Sequence, residues 1–429
     1  MRVRVSKAPL KVAWARMART FLLVWAAYWG AVLAFPGSPS GGSALGSASI
    51  QLGFVAAVAA AMYSFRPSRD ESLRMANYRS ADAGIGRAAW VGLAFGTIGT
   101  SLLLFDRIVI QGVRYGEGLA AARTSWQVGS EGRGGPSSVF SVLGYLLGGC
   151  HFAAAALVIL RINGWLTLRQ TLFLLACGAL VLGSSAMNGG RSSLLLFPAI
   201  CLPALCLNPR ASAGKVLLSP YALVFGAIAF AYCIAVFASR AELGATLGGD
   251  YALEFLSYLN IEPSPWLESS SFPDAVWMCI LAWAYLIHSF ATTCFIAVEP
   301  TTQCVAIGAH PIAMLSKFGL VGFPDDGWFL AGRFPSLPGA LFHQFGLLGL
   351  VVGSMVLGAV TSAALKAVAR FPRSMIALGA FLLAAATVAL SPELAAFDFL
   401  GFASVAVGFL VLAPFESSPR RPARQANNQ

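Results

Sequence analysis

The sequence has few charged residues. Asp, Glu, Lys and Arg make up 11% of its 429 residues, whereas about 25% is usual in a soluble domain. Hydrophobic residues make up 57% of the chain, and several apolar runs approach the roughly 20 residues that a helix needs to cross a bilayer. Strands of alternating polarity, typical of an outer-membrane barrel, are absent. The composition therefore predicts an all-α polytopic membrane protein.

The sequence also lacks the usual patterns of metal and redox sites. None of its eight cysteines forms a C-x-x-C pair, and most lie in apolar runs, where a thiol is a small packing residue. The four histidines (His151, His288, His310 and His343) show no H-x-x-x-H spacing. We therefore expect neither a metal nor a cofactor.

A nucleic-acid partner is not expected, although the net charge is +11. No basic stripe is interleaved with aromatic residues, as a nucleic-acid surface would require. Basic residues that flank membrane spans on the cytoplasmic side explain the charge more simply.

Ten apolar runs are separated by segments rich in glycine, proline and charge. These breakers include PGSPSGG at 36–42, EGRGGPSS at 131–138 and RFPR at 370–373. The runs predict spans near 18–35, 48–65, 88–105, 138–160, 170–187, 192–207, 217–238, 341–363, 374–391 and 398–415.

The distribution of charge predicts the orientation of these spans. With the N-terminus inside, the inner segments hold 21 Lys or Arg and 4 Asp or Glu, and the outer segments hold 8 and 14. The opposite orientation would reverse the bias and violate the positive-inside rule. We therefore expect cytoplasmic N- and C-termini and a single polytopic domain over 1–429, with a large outer loop at 239–340.

One apolar segment within that outer loop does not fit the ten-span count simply. Residues 275–297 are apolar enough to cross, but a single crossing there would place the basic C-terminal tail outside. The segment either stays on the outer side as a re-entrant or interfacial helix, or pairs with 303–323 and raises the count to twelve. Ten spans is the first choice.

Eight basic residues lie on the outer side against the charge bias, and seven of them are arginine. They are Arg107, Arg114, Arg123, Arg133, Arg191, Arg240, Lys317 and Arg333. Arginine stays charged and can bind phosphate with two parallel hydrogen bonds. As a set these arginines favour an outer face that binds a lipid diphosphate, although each alone could pair with an outer acid such as Asp106 or Glu242.

The end of the outer loop combines acids with aromatic residues. Asp325, Asp326 and Trp328 precede Arg333, and His343 follows at the predicted entry to the membrane. Carboxylates accept hydrogen bonds from sugar hydroxyls and aromatic rings stack on sugar faces, so a sugar site is one interpretation. An interfacial aromatic belt is the other.

His288 lies alone on the apolar 275–297 segment. A helix-packing contact is the ordinary explanation for such a histidine. An ionisable residue at membrane depth is also a functional candidate by default.

Three short motifs carry a resemblance to a known family. They are Gly190-Arg191-Ser192-Ser193 at an outer turn, the segment from Asp106-Arg107 to Arg123, and Phe345-Gly346-Leu347-Leu348-Gly349 followed by Gly353 and Gly358. With the span pattern and the large outer loop, the chain resembles the Wzy-type O-antigen and exopolysaccharide polymerases, and more distantly the O-antigen ligases. It departs from many members at Gln344, where they carry an acid before the Phe-Gly.

The resemblance implies a C-type (GT-C-like) membrane glycosyltransferase of the bacterial inner membrane. Its substrate would be an oligosaccharide on undecaprenyl diphosphate, and a chain-length regulator and a flippase of the same pathway would be further partners beside the bilayer. By the resemblance, Arg191 and Arg240 would neutralise the leaving diphosphate, and Asp326 or His343 would be the base. Arg107, Arg123, Arg333, Asp325, Trp328 and His288 would contact the substrate.

Other functions stay open from the sequence. A ligase would use the same donor chemistry on a different acceptor. A transporter or flippase would place charged residues near mid-span and often shows internal repeats, which this chain lacks. A structural subunit of an export complex is a further alternative.

Overall fold

The computed structural model describes most of the chain, and the account below concerns those residues only. They are residues 8–68, 72–73, 85–118, 121–122, 124–125, 138–188, 192–208, 210–211, 214, 216, 219–243, 248–298, 307 and 335–415. This part is almost entirely helical, which confirms the all-α expectation.

Fourteen α-helices are numbered here along the described chain. They are α1 (Leu10–Ala34), α2 (Ala44–Ser64), α3 (Arg87–Phe105), α4 (Val139–Gly148), α5 (Cys150–Ile159), α6 (Leu168–Asn188), α7 (Ser192–Leu207), α8 (Pro220–Leu243), α9 (Gly248–Tyr258), α10 (Pro265–Glu268), α11 (Asp274–Val298), α12 (Leu337–Arg370), α13 (Met375–Leu390) and α14 (Leu400–Leu412).

Eight stretches of helix are long and apolar enough to cross a bilayer, which confirms the prediction of a polytopic membrane protein. They are Leu10–Ala34, Ala44–Ser64, Arg87–Ile110, Val139–Ile159, Leu168–Met187, Ala222–Ser239, Asp274–Val298 and Leu337–Arg370. Three shorter apolar helices accompany them, at Ser193–Leu207, Met375–Leu390 and Gly401–Phe415.

The helix α1 runs opposite to α2, whereas α12 runs in the same direction as α2. We call the end of the bundle that carries the α1–α2 connection (residues 35–43) the upper end, and the opposite end the lower end. The Trp25 ring packs on Phe54 with centroids 5.9 Å apart, as expected for an antiparallel α1–α2 pair. Gly358 of α12 lies against Val58 of α2, and Ser362 donates to the Met62 carbonyl at 3.4 Å, so these two helices are parallel.

Glycines allow the closest helix contacts. A Cβ on Gly358 would lie 2.6 Å from the carbonyl oxygen of Val58, and one on Gly408 would lie 2.7 Å from backbone atoms of Gly149. In a bilayer, where lipid tails are as apolar as the side chains, such close backbone packing is a main source of helix association. Small residues therefore join α2 to α12 and α14 to the α4–α5 junction.

The chain reverses inside α12 at Gly346. This residue has φ 65° and ψ −162°, a conformation essentially restricted to glycine. A Cβ on Gly353 would lie 2.7 Å from Leu341 Cδ2, so residues 337–345 fold back against the first turns that follow Gly346. We call residues 337–345 α12a and residues 347–370 α12b; only α12b continues to the lower end.

The segment at 275–297 is a helix of 25 residues, α11, whose described contacts lie with the upper ends of its neighbours. Trp283 Nε1 donates to the Ala31 carbonyl near the end of α1 at 3.0 Å, and the Cys294 carbonyl accepts from Ser43 N at the start of α2 at 3.0 Å. These contacts hold α11 at the upper end, and the choice between ten and twelve spans stays a prediction. Its proposed partner, 303–323, lies outside the described residues except for residue 307.

The described residues of the 239–340 segment form helices and a strand rather than an irregular loop. It contains α9, α10 and α11, and its strand β4 (Ile261–Pro263) pairs antiparallel with β2 (Gly37–Pro39). This pairing attaches the segment to the α1–α2 connection. A second short pair, β1 (Ala8–Pro9) with β3 (Ser72–Leu73), lies at the lower end.

Charged residues in the described part are sorted between the two ends. Among the described residues, the lower half holds basic residues and no Asp or Glu: Lys11, Arg16, Arg19, Arg66, Arg87, Arg161, Arg169, Arg210, Lys366, Arg370 and Arg373. The upper end holds the acids Asp106, Glu117, Glu242, Asp250, Glu254, Glu262, Glu268, Asp274, Glu393 and Asp398 together with Arg107, Arg114 and Arg240.

Candidate functional site

Buried polar side chains gather at the upper end, where α1, α2, α11, α12a and the α13–α14 connection meet. They are Ser47, Gln51, His288, Ser289, Thr292, Thr293, Ser336, His343, Ser391, Glu393 and Asp398. Burying polar groups costs free energy unless they are hydrogen-bonded, so a concentration of them in an apolar bundle needs a reason. This region is the strongest candidate for a functional site.

His288 is fully buried at the centre of this region. Its Nδ1 lies 2.5 Å from the carbonyl oxygen of Tyr285 and 3.7 Å from Oε1 of Glu393. The Tyr285 ring stacks on the imidazole with centroids 4.8 Å apart. The sequence offered a packing contact or a functional role for His288, and the structure places an acid beside it.

Hydrogen bonds hold α11 against the α13–α14 connection. Ser289 Oγ donates to the Pro392 carbonyl at 2.8 Å and lies 2.5 Å from the Tyr28 hydroxyl of α1. Ser47 Oγ of α2 donates to the Phe290 carbonyl at 3.2 Å. Three separate parts of the chain therefore meet within one turn of His288.

His343 lies on α12a and is buried as well. Gly339, one turn before it, packs against Thr293, and Thr293 Oγ1 lies 2.9 Å from Ser336 Oγ at the start of the helix. The same few residues therefore connect α12a to α11. The structure brings His343 and His288, both predicted from the sequence, into the same polar region.

Arg107 is not at an exposed headgroup position: it is 2% exposed. Its guanidinium lies 3.7 Å from the Asp106 carboxylate and donates to the Tyr145 hydroxyl at 3.1 Å. Asp106 also accepts from Gln111 and, at 2.5 Å, from Ser138. Pairing with Asp106, the second interpretation offered above, is what the structure contains.

A π-helical turn explains how adjacent acidic and basic residues are both buried. Residues Asp106–Ile110 continue α3 with the wider π pattern, and Gln111 N donates to the Asp106 carbonyl at 2.9 Å. Such turns are rare and are frequent at functional sites.

The helix ends on either side of Arg191 contact two different parts of the upper end. The Tyr115 hydroxyl donates to the Met187 carbonyl at 2.9 Å, and burial raises the pKa of this tyrosine despite the nearby charge of Arg107. On the other side, Ser193 lines a small apolar pocket with Leu394 and Phe399 of the α13–α14 connection.

The remaining predicted site residues fall wholly or partly outside the description. Arg123, Arg191, Asp325, Asp326, Trp328 and Arg333 lie outside the described residues. Arg240 lies in the last turn of α8, but its side chain is outside the description. Their proposed roles stay predictions.

Sequence reasoning gave no role to Glu393 or Tyr28. A signal for Glu393 was present: SPELAAFD places Glu393 and Asp398 in a short connection between two apolar runs. Tyr28 lies inside an apolar span, where an aromatic residue is unremarkable, so nothing in the sequence distinguished it.

Comparison with known proteins adds no relative. No family model matches the chain, and neither a curated protein nor a solved structure is similar to it. Any functional conclusion therefore depends on the residues described above.

Proposed function

We propose that the chain is a membrane glycosyltransferase that polymerises oligosaccharide repeat units carried on undecaprenyl diphosphate, in O-antigen or exopolysaccharide biosynthesis. The sorting of charge supports an orientation with the basic lower end in the cytoplasm of a bacterial inner membrane. The polar region then lies toward the periplasmic face, within reach of a lipid-linked donor. A flippase and a chain-length regulator of the same pathway are proposed partners.

The proposed reaction is a single transfer. A hydroxyl oxygen of the acceptor sugar bonds to the anomeric carbon of the donor glycan, and the bond from that carbon to the phosphate oxygen breaks. Its electron pair leaves with the lipid diphosphate, whose charge Arg191 and Arg240 would offset. The hydroxyl proton passes to a base, for which His288 is the first candidate and His343 and Asp326 are alternatives.

The observation that supports this proposal most is the convergence at the upper end. Met187, before Arg191, accepts a hydrogen bond from Tyr115, and Ser193, after it, lines a pocket with Leu394 of the α13–α14 connection. Ser289, next to His288, donates to Pro392 of that same connection. The helix ends that flank Arg191 and the residue next to a candidate base are thus attached to one structural unit, which supports a transfer on a lipid-linked substrate.

The first test uses Arg191→Ala and a matched control, Arg114→Ala. Arg114 is exposed and paired with Glu117 at 3.5 Å, so its loss removes a surface charge only. In a deletion strain we expect the Arg191 variant to reach the membrane but to accumulate single lipid-linked units, because the leaving diphosphate is not neutralised. The control should restore long chains; both are read by gel analysis of glycans and lipid-linked intermediates.

Each other outcome changes the proposal. Unchanged polymer in Arg191→Ala would remove that residue from the site. Long chains retained on undecaprenyl diphosphate in the deletion strain would indicate a ligase instead. Normal glycans and intermediates in the deletion strain would exclude both transferases.

A transporter of lipid-linked glycan is the second candidate, and two features favour it. Buried ionisable residues and a broken helix, here the reversal at Gly346, are both found at substrate sites of transporters. Purified protein in vesicles separates the candidates. A polymerase lengthens glycans when donor and acceptor lie on one side, whereas a transporter moves them across without changing their length.

A further inference from the structure

Glu393 has no part in the proposed reaction, yet its carboxylate lies beside the candidate base His288. Its Oε1 is 3.7 Å from His288 Nδ1, and the two side chains are only 11% and 1% exposed. A carboxylate removed from water is costly unless it faces an opposite charge or hydrogen-bond donors. The His288 ring beside it supplies such an opposite charge when it is protonated.

The contacts of His288 determine which ring nitrogen can act as a base. Nδ1 lies 2.5 Å from the Tyr285 carbonyl oxygen, which can only accept a hydrogen bond, so Nδ1 carries a proton. In the neutral ring Nε2 is then the proton acceptor. When Nε2 takes a proton, the positive charge spreads over the imidazole, and the Glu393 carboxylate faces that charge.

Neighbouring contacts hold the pair at a defined separation. Ser289 follows His288 and Pro392 precedes Glu393, and these two are joined by a hydrogen bond of 2.8 Å. The Tyr28 hydroxyl lies 2.5 Å from Ser289 Oγ, and the Tyr285 ring covers one imidazole face. These contacts fix the backbone next to His288 and Glu393 and one face of the His288 ring.

We propose that Glu393 is a positioning residue for His288. Its carboxylate, beside Nδ1, stabilises the imidazolium that forms when the acceptor hydroxyl gives its proton to Nε2. In many enzymes a weak nucleophile is activated by a base that a further side chain holds in position. The catalytic part of this inference rests on the proposed glycosyltransferase function, whereas the electrostatic coupling of the two side chains does not.

Other ionisable groups occur on the elements that pack against α11 or on α11 itself. Those toward the upper end include Tyr28 of α1, Tyr232, Cys233, Arg240 and Glu242 of α8, Asp250, Tyr251, Glu254 and Tyr258 of α9, Asp274, Cys279, Tyr285 and Cys294 of α11, His343 of α12a, and Asp398 of the α13–α14 connection. The change at Glu393 must therefore be compared with a change at another of these acids.

The test is Glu393→Gln, which keeps the size of the side chain and removes its charge. Glu254→Gln is the control, because Glu254 is an exposed acid on α9, a helix that packs against α11. In a purified polymerisation assay we expect Glu393→Gln to lower kcat about 100-fold, the lower range for general-base catalysis, with KM little changed. The control should leave both constants near the wild-type values, and Glu393→Asp, which keeps the charge, should restore part of kcat.

A second measurement does not depend on activity. ¹⁵N NMR of the His288 imidazole in the full-length protein follows its protonation directly. We expect Glu393→Gln to move the protonation midpoint to lower pH by about one unit or more, since the neighbouring negative charge is lost. The control should move it by much less.

The outcomes separate the two proposals. An unchanged midpoint, or equal kcat in Glu393→Gln and Glu393→Asp, would overturn the role of Glu393. A shifted midpoint in a protein that forms no polymer would support the His288–Glu393 coupling and overturn the proposed glycosyltransferase function. If Glu393→Gln does not fold, Glu393→Asp against wild type decides. A midpoint moved to lower pH with a reduced kcat supports the role, because the shorter side chain draws the charge away from the ring, and an unchanged midpoint with an unchanged kcat overturns it.

Discussion

Single residues at the upper end combine charge with almost complete burial. Asp106 and Arg107 are 0% and 2% exposed and share one network with Gln111, Ser138 and Tyr145. Removing one member of a buried ion pair leaves the other without compensation, which is far more costly than losing an exposed pair. The exposed pair Arg114–Glu117 lies on the same segment and gives a direct comparison.

We predict that Asp106→Ala destabilises the protein by about 3–5 kcal/mol, because Arg107 is left buried without its carboxylate. Glu117→Ala should change the stability by less than about 1 kcal/mol, because the Arg114–Glu117 pair is screened by solvent. Denaturation of the purified protein in detergent measures both values. Equal losses in the two variants would show that burial does not control the energetics of this segment.

The elements of the fold depart from simple spans at two glycines. Gly149 separates α4 from α5, and Gly346 reverses the chain inside α12. The reversal turns α12a back against α12b and brings His343 toward α11. An uninterrupted helix through 346 would separate Leu341 from Gly353 by about 18 Å along the axis, at 1.5 Å per residue, whereas the two are in contact.

Gly346→Ala should lower the stability by about 1–3 kcal/mol, since a Cβ is strained at φ 65° and ψ −162°. Gly183→Ala is the control: Gly183 lies within α6, and a Cβ there meets nothing within 4 Å. This control should change the stability by no more than about 1 kcal/mol, in either direction. Thermal unfolding in detergent compares the two. A Gly346 variant as stable as the control would mean that the reversal is not required by the folded state.

At the scale of the whole molecule, the sorting of charge between the two ends is the most extensive feature. Every described basic residue of the lower half lies in a region with no described acid, while α9, α10 and α11 at the upper end carry acids and no basic residue. The positive-inside rule associates the lower end with the cytoplasm. An outer site for a lipid-linked substrate depends on this orientation.

Two serine-to-cysteine variants test the orientation in a cysteine-free background. Ser269→Cys lies exposed at the upper end, just after α10, and Ser68→Cys lies exposed at the lower end, beyond α2. We expect a membrane-impermeant maleimide added to the periplasmic side to label Ser269→Cys and to leave Ser68→Cys unlabelled until the membrane is opened. The reverse pattern would place the polar region in the cytoplasm and exclude a periplasmic transferase.

The sequence by itself determined the class of protein, the positions of most spans and the sorting of charge. Apolar run length and basic flanks are local properties, and a bilayer acts on them locally. It also identified His288 and His343 as candidates, because ionisable residues are rare in apolar runs.

Only the tertiary structure decided which polar residues meet. Ser289 and Pro392 are 103 residues apart in the chain, so no local pattern predicts that His288 faces Glu393. The burial of Arg107 depends on a π-helical turn, and the position of His343 depends on the backbone conformation of one glycine. Contacts of this kind arise when helices that are distant in the chain pack together, so no local stretch of sequence predicts them.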